Sequence, residues 1–169
     1  RDTTKMGDCA MDKTVRELLK KYAGNPLMQR QSVGIEEANI KDFVLEEMRA
    51  ASADGDWDAC LALLSLASGI ADPQRKAEVL NRLLVMPEHR IHQEVTMEIQ
   101  RLAHHSSVPY IRKILESNFE TLAYTCSDDE VLAKWFSHAL AKIGSPESIS
   151  MMREFAESAN SGIAHEMRY

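Results

Sequence analysis

The chain contains 169 residues, 44% of them apolar and 27% charged, and carries a formal net charge of -6. These values are typical of one soluble globular domain. Aromatic residues make up only 6% of the chain, while Leu, Ala, Met and Glu are abundant, which favours helices over sheets. The negative charge without a basic stripe argues against nucleic acid as a partner, because such binding depends on Lys and Arg neutralising phosphates.

Membrane insertion and disulfide scaffolding are also disfavoured. The longest apolar run, near residues 59–71, is shorter than the roughly 20 residues that cross a bilayer, and no apolar region follows the N-terminal residues as in a signal peptide. The three cysteines, Cys9, Cys60 and Cys126, have no metal-binding or redox spacing, and an odd number cannot be fully paired. We therefore expect reduced thiols, a cytoplasmic location and no membrane contact.

The first part of the chain predicts a helical cap on a larger array. Residues 1–11 are polar and unpatterned and predict a flexible leader, followed by one domain over residues 12–169. A helix that begins at Asp12 is predicted to stop at residues 24–26, and residues 25–35 are predicted to form a loop anchored by Leu27 and Val33. A second helix is predicted over residues 35–53.

Negative charge is concentrated between Glu36 and Asp58. This segment has eight acids against Lys41 and Arg49, which gives -6, while the remaining acids and bases cancel. Such an acidic surface favours a basic partner, although the same pattern is also that of an ordinary solvated helix face. The candidate partner contacts in this segment are Glu36, Glu37, Glu46 and Glu47.

The rest of the chain predicts three helical hairpins and the start of a fourth. Their spans are about residues 57–86, 89–120 and 128–158, with a partial hairpin at residues 162–169. The helix from Trp57 is apolar nearly all round, which predicts burial on several sides. Helix starts are marked by residues that commonly cap helices: Asp56, Asp72, Ser106 with Ser107, Ser127 and Ser145.

Two of these hairpins contain the same pattern. Residues 98–117 align with residues 139–158 at a shift of 41 positions without a gap. The shift places Ile99 on Leu140 and Arg112 on Arg153. A helical repeat near this period is typical of stacked hairpin arrays.

The run from Ala139 to Ile149, Ala-Leu-x-x-Ile-Gly-Ser-Pro-Glu-x-Ile, resembles HEAT and HEAT-like repeats. The resemblance covers about residues 57–169 and is best in the last repeat. It implies an all-α fold, a right-handed α-solenoid of HEAT-like hairpins with an N-terminal helical cap, in which the helices after each turn form one layer. HEAT repeats often carry an acid near the turn and a base six positions later. Glu147 and Arg153 match that spacing, whereas Ser106 replaces the acid before Arg112.

In size, acidity and free-standing design, the chain is also similar to the small HEAT-repeat immunity proteins of bacterial toxin systems. This resemblance implies a non-catalytic cytoplasmic protein, monomeric before binding, that binds and occludes a cognate toxin. The expected partner is a basic toxin domain. Two other classes stay open: a scaffold or adaptor that links protein partners, and a HEAT-like enzyme that acts on DNA.

No motif in the sequence predicts catalysis, a metal or a cofactor. His89 and His92 share a helix face at i,i+3, but no carboxylate or cysteine completes a ligand set, so solvated histidines at helix ends are expected. The aspartates of residues 54–58 lack the final glutamate of a calcium loop and predict a turn. Cys60 is predicted to be a core residue and Cys126 at most a reactive thiol.

The helices after each turn supply further candidate partner contacts, because in solenoids such helices line the concave surface. Tyr, Met and Arg are enriched at protein interfaces. The candidates are Arg82, Tyr110, Arg112, Met151 and Arg153. Packing at the edge of the core is the alternative for the tyrosine and the methionine, and a ladder contact is the alternative for the two aligned arginines.

Trp135 is a separate candidate. The repeat aligns it with Glu94, so a polar position in one hairpin holds a large apolar side chain in the next. A tryptophan at such a position is either a partner contact or a side chain packed against Ile163 and Met167.

Overall fold

Helices make up all the regular structure in the computed structural model, which describes residues 13–168. This confirms the predicted all-α class. The predicted leader over residues 1–11, the helix start at Asp12, Cys9 and the final residue Tyr169 lie outside the described residues.

The α-helices of the described chain are α1 Lys13–Lys21, α2 Pro26–Val33, α3 Ile40–Ala53, α4 Trp57–Ser68, α5 Pro73–Leu84, α6 His92–Leu102, α7 Val108–Glu116, α8 Asp129–Ile143, α9 Pro146–Phe155 and α10 Ser161–Met167. Short 3-10 helices precede α3, α7 and α8, at Glu37–Asn39, His105–Ser107 and Glu120–Thr125.

The second helix, α2, occupies most of the segment that was predicted to be a loop. The side chain of Asn25 accepts a hydrogen bond from the Met28 N–H, Pro26 is in the first turn, and Gly34 ends the helix in the left-handed conformation. The run at residues 24–26 therefore both ends α1 and starts α2. Leu27 is 56% exposed and is not an anchor.

The helices contact one another in two rows. One row, which we call row B, contains α3, α5, α7 and α9, each in contact with the next. The other, row A, contains α4, α6, α8 and α10: α6 packs against α8 and α8 against α10, while the Ser68 hydroxyl of α4 donates to Glu98 of α6 at 2.9 Å. The helices α1 and α2 cover the free side of α4.

A core of buried apolar side chains runs between the rows. Phe136, Leu63 and Leu66 are each no more than 1% exposed, and Cys60 is fully buried, as predicted. Leu61 is 42% exposed, however, so α4 is not buried on every side.

Two predicted helix caps are absent. Ser107 precedes α7, but its side chain makes no capping bond and its hydroxyl is buried without a partner among the described residues. Asp128, rather than Ser127, precedes α8, and its side chain makes no capping bond either. The caps at Asp56, Asp72 and Ser145 are present.

The repeat has a structural counterpart at the turns. Ala103 ends α6 at φ 51° and Gly144 ends α8 at φ 62°, and the two residues are aligned by the shift of 41 positions. In each turn the following side chain, His104 or Ser145, accepts a hydrogen bond from a nearby main-chain N–H. The aligned residues thus terminate their helices in the same left-handed conformation.

We expect Gly144→Ala to lower the free energy of unfolding by about 1 kcal/mol, since a Cβ disfavours the left-handed region. An added Cβ would meet the Ala141 carbonyl oxygen at 3.6 Å, which is ordinary contact, so the cost comes from the backbone. Ala103→Gly is the matched change and should be neutral or stabilising. Urea unfolding measures both, and equal midpoints for Gly144→Ala and the parent would contradict the expectation.

Candidate protein-binding face

The acidic segment is partly neutralised by the N-terminal helices. Glu37 forms an ion pair with Arg30 at 2.9 Å, and Asp56 forms one with Lys20 at 3.3 Å. Asp54 likewise forms an ion pair with Arg16 of α1. Within residues 13–168, the acids of this segment that are exposed and form no ion pair are Glu36, Asp42, Glu46 and Asp58.

Glu47 is not part of a solvated acidic face, which corrects the sequence-based prediction. Its side chain points inward and the residue is only 5% exposed. Its Oε2 atom has no hydrogen-bond partner among the described residues. Burial raises the pKa of Glu47, and the nearby Arg16 charge partly opposes that shift. Glu47 therefore cannot steer a partner.

A groove of about 520 Å³ lies between α3, α5 and α7. Arg82 of α5 is exposed at its wall, and Tyr110 of α7 is half-buried there with the Lys113 ammonium 5.4 Å from its ring centre. Asn81 is 2% exposed and donates to the Ser106 carbonyl and hydroxyl oxygens at 3.2 Å, which ties α5 to the turn before α7. We call this groove 1.

A second groove of about 530 Å³, groove 2, lies between α7 and α9. Ser106 lines both grooves, so they adjoin along row B. Arg112 and Glu147 line its walls. Met151 also lines it but is only 2% exposed, so it is a core residue rather than a surface contact. Grooves 1 and 2 together form what we call the row B face.

Arg112 links α7 to α9. Its guanidinium donates to both carboxylate oxygens of Glu154, at 2.8 and 2.7 Å, and to Glu116 at 3.4 Å, and it lies 5.6 Å from the Phe155 ring centre. The bond to Glu154 raises the pKa of Arg112 and lowers the pKa of the Glu154 carboxyl. A bidentate contact of this kind is the stronger form of arginine–carboxylate ion pair.

Glu147 and Arg153, which match the acid–base spacing of HEAT repeats, form no ion pair with each other in the described chain. The contact between repeats joins Arg112 to Glu154 instead. Hydrogen bonds from its own backbone N–H and from Ser145 lower the pKa of Glu147. Arg153 is exposed and forms no ion pair or hydrogen bond within the described chain, which leaves it available to a partner.

Trp135 lies on row A, away from the other candidates. It is half-buried and lines a cavity of about 240 Å³ between α6 and α8, together with Met97 and Lys134. Met97 is 45% exposed and also lines a groove of about 430 Å³ that reaches Leu61 of α4. The sequence did not single out Met97 or Leu61, because apolar residues on amphipathic helices ordinarily face the core.

The expectation of solvated histidines is wrong for His89 and His92. Both are fully buried, and their rings stack at 4.1 Å. His89 Nδ1 accepts from the Ile91 N–H at 3.2 Å, so Nε2–H donates to the Leu83 carbonyl at 2.7 Å. Each ring nitrogen of His89 thus has a partner in the neutral form.

His92 is bonded in the same way, with Nε2 3.0 Å from the Met86 carbonyl oxygen and Nδ1 3.1 Å from the Tyr124 hydroxyl. The hydroxyl oxygen also accepts from the His92 main-chain N–H at 3.3 Å. Burial, followed by the proximity of His89, lowers the pKa of His92 to about 3, and burial lowers the pKa of His89 as well. The pair is a structural network whose nitrogens are already engaged.

Within residues 13–168, the chain is thus an all-helical protein with exposed grooves on both rows of helices. Every helix within residues 13–168 is too short or too polar to cross a bilayer. Comparison of the chain with protein-family models, with curated proteins and with solved structures gave no match.

Proposed function

We propose that the chain is a non-catalytic protein-binding module whose row B face holds one cognate partner. The observation that carries this proposal is the pair of adjoining grooves that bring Arg82, Tyr110 and Arg112 onto one row. Tyrosine and arginine beside concave, partly apolar surfaces are the side chains that most often dominate binding energy. The partner is a basic domain of the bacterial toxin kind, which the module occludes in the cytoplasm as an immunity-type protein.

The proposal includes a finer architecture, the right-handed α-solenoid of HEAT-like hairpins. The succession of helix contacts along row B and the matched left-handed turns at Ala103 and Gly144 support it. In such an array the helices after each turn form a continuous binding surface.

The negative charge on α3 predicts that the proposed partner is positively charged. Asp42 lines groove 1, and Glu46 lies one helical turn further along α3, exposed and without an ion pair within residues 13–168. Exposed charges at the rim of an interface chiefly raise the association rate, and salt weakens that effect. Desolvated anchors in the grooves chiefly set the dissociation rate.

The test separates these two contributions. A pull-down first identifies the partner, and stopped-flow kinetics across a salt series then compare variants. Glu46→Lys is expected to slow association at low salt, and Tyr110→Ala to raise the dissociation rate about tenfold or more. Glu47 is left unchanged, because a buried lysine there would destabilise the fold.

Glu120→Lys is the matched control, since it makes the same charge change at an exposed residue outside both grooves. It should leave the kinetics close to those of the parent. If Glu46→Lys and Glu120→Lys slow association equally, and Tyr110→Ala leaves dissociation unchanged, the row B face is not the binding site. Salt-sensitive binding to DNA instead of protein would replace this proposal with the DNA-acting class.

The adaptor class is favoured by one observation, the partly exposed apolar side chains on row A. Trp135, Met97 and Leu61 lie on α8, α6 and α4, and lie on the other row from Tyr110. An adaptor should lose one partner with Trp135→Ala and a different partner with Tyr110→Ala. A single-partner module should lose nothing with Trp135→Ala beyond any change in stability.

A further inference from the structure

A cluster of imidazole and carboxylate groups joins α8 to α10. Ligand atoms of Glu130, His165 and Glu166 lie within 4.8 Å of one another. The His165 Nε2 atom is 3.6 Å from a carboxylate oxygen of Glu130. We propose that these three side chains form a binding site for a zinc ion, independent of the protein-binding proposal.

The backbone brings the ligands together at a close helix contact. A Cβ on Gly162 would lie 2.7 Å from the Glu130 main-chain nitrogen, so only glycine allows α10 to approach the first turn of α8 this closely. Asn160 caps α10 by accepting from the Gly162 and Ile163 N–H groups, and donates to the Asp129 carboxylate at 2.6 Å. The start of α10 is thus fixed against α8, and His165 comes one turn later beside Glu130.

The same contact forms a depression of about 450 Å³ lined by Asp128, Asp129, Glu130 and His165. This space, which Glu166 does not line, leaves room for a water ligand beside Glu130 and His165. Glu130 and His165 are both exposed, with side-chain exposures of 59% and 69%, so they can rotate toward a common ion without breaking core packing. Glu166 is half-buried and is therefore the most restrained of the three.

The donor set favours zinc over magnesium and calcium. Imidazole and carboxylate are both ligand types that zinc takes, and a water would fill the fourth position of a tetrahedral site beside these three side chains. Magnesium and calcium prefer sites made wholly of oxygen ligands, so the imidazole disfavours them. His165 and Glu166 lie in the last turn of α10, where the negative end of the helix dipole favours a cation.

Zinc would replace a weak exposed contact between α8 and α10 by coordinate bonds. An ion that binds the folded chain and not the unfolded chain stabilises the fold. Zinc is therefore expected to raise the unfolding temperature and to stabilise α10 against local unfolding.

The experiment is zinc titration of the full chain at pH 7.5, by calorimetry and by thermal unfolding, with a non-thiol reductant and zinc chloride as the probe. The parent should bind one zinc ion per chain and unfold at a higher temperature with zinc than without. Because a direct ligand is lost, His165→Gln and Glu130→Gln should each weaken zinc affinity at least about tenfold. Magnesium chloride should have no such effect.

Two controls distinguish this site from other histidines and from the cysteines. His138→Gln removes an exposed histidine of α8, and His105→Gln removes an exposed histidine that stacks on the half-buried His104; both should keep the parent affinity. No zinc binding by the parent overturns the proposal. So does equal affinity of the parent and His165→Gln, because the ion would then be bound elsewhere.

Discussion

Gln29→Ala is expected to lower the free energy of unfolding by about 2 kcal/mol, because it removes two buried hydrogen bonds, leaves the Leu19 carbonyl without a donor and opens a cavity. Gln29 is fully buried on α2, and its Nε2 group donates to the carbonyls of Leu19 and Ala62, each at 2.9 Å. Those carbonyls belong to α1 and α4, so one amide holds three helices together. The Leu19 carbonyl lies in the last turn of α1, where backbone acceptors lack partners within the helix.

Gln31→Ala is the matched control, because Gln31 lies on the same helix but is exposed. Its loss should change the free energy of unfolding by less than about 0.5 kcal/mol. Urea unfolding followed by circular dichroism gives both values. Similar values for the two variants would show that the Gln29 amide does not hold α1 and α4 together.

Acidification from pH 7 to pH 5 is expected to lower the free energy of unfolding by about 2 kcal/mol through His92 alone. The ordinary pKa of a histidine is 6.5, and in the folded chain burial lowers the pKa of His92 to about 3. Between these values the unfolded chain binds a proton that the folded chain does not, so stability falls as pH falls below 6.5. His89 acts in the same direction, since its pKa is also lowered.

Comparison with His92→Gln isolates this effect, because the raised pKa of Glu47 acts in the opposite direction and is common to both proteins. The parent should lose up to about 1.4 kcal/mol more per pH unit than His92→Gln between pH 6 and pH 5. His138→Gln, an exposed substitution on α8, should keep the parent slope. Identical slopes for the parent and His92→Gln would mean that His92 becomes protonated in the folded chain.

Local sequence patterns were sufficient for the helices that carry apolar periodicity and side-chain caps. The starts of α4, α5 and α9 follow from Asp56, Asp72 and Ser145, which make the expected capping bonds. The pattern failed to predict α2, since residues 24–26 serve both as the end of α1 and as the start of α2. A helix whose one fully buried side chain is Gln29 also has no apolar periodicity to detect.

Buried polar residues account for most of the failures at the candidate site. Glu47 and His92 look solvated in sequence, because the groups that surround them come from distant parts of the chain. Tyr124, for example, completes the His92 network from the segment after α7. Sequence periodicity reports which face of a helix is apolar, but it does not report which polar groups tertiary contacts will enclose.

The repeat was more informative about the site. It aligned Arg112 with Arg153 and gave a ladder contact as one of two alternatives for these arginines; Arg112 does contact the next hairpin, although through Glu154 and not through a residue near the turn. The cluster of Glu130 with His165 and Glu166 was not foreseen, since Glu130 comes from a different helix and the spacing matches no metal motif. Only the close packing of Gly162 on α8 brings them together.

The matched left-handed residues Ala103 and Gly144 also bear on how such a chain can change in length. A gene segment encoding residues 104–144 begins directly after one such residue and ends on the other. Duplication or loss of that segment would join a helix end to a turn of the same backbone geometry. The connection between the two hairpins would therefore keep its present conformation. Unequal recombination at these two points would lengthen or shorten the row B face by one hairpin.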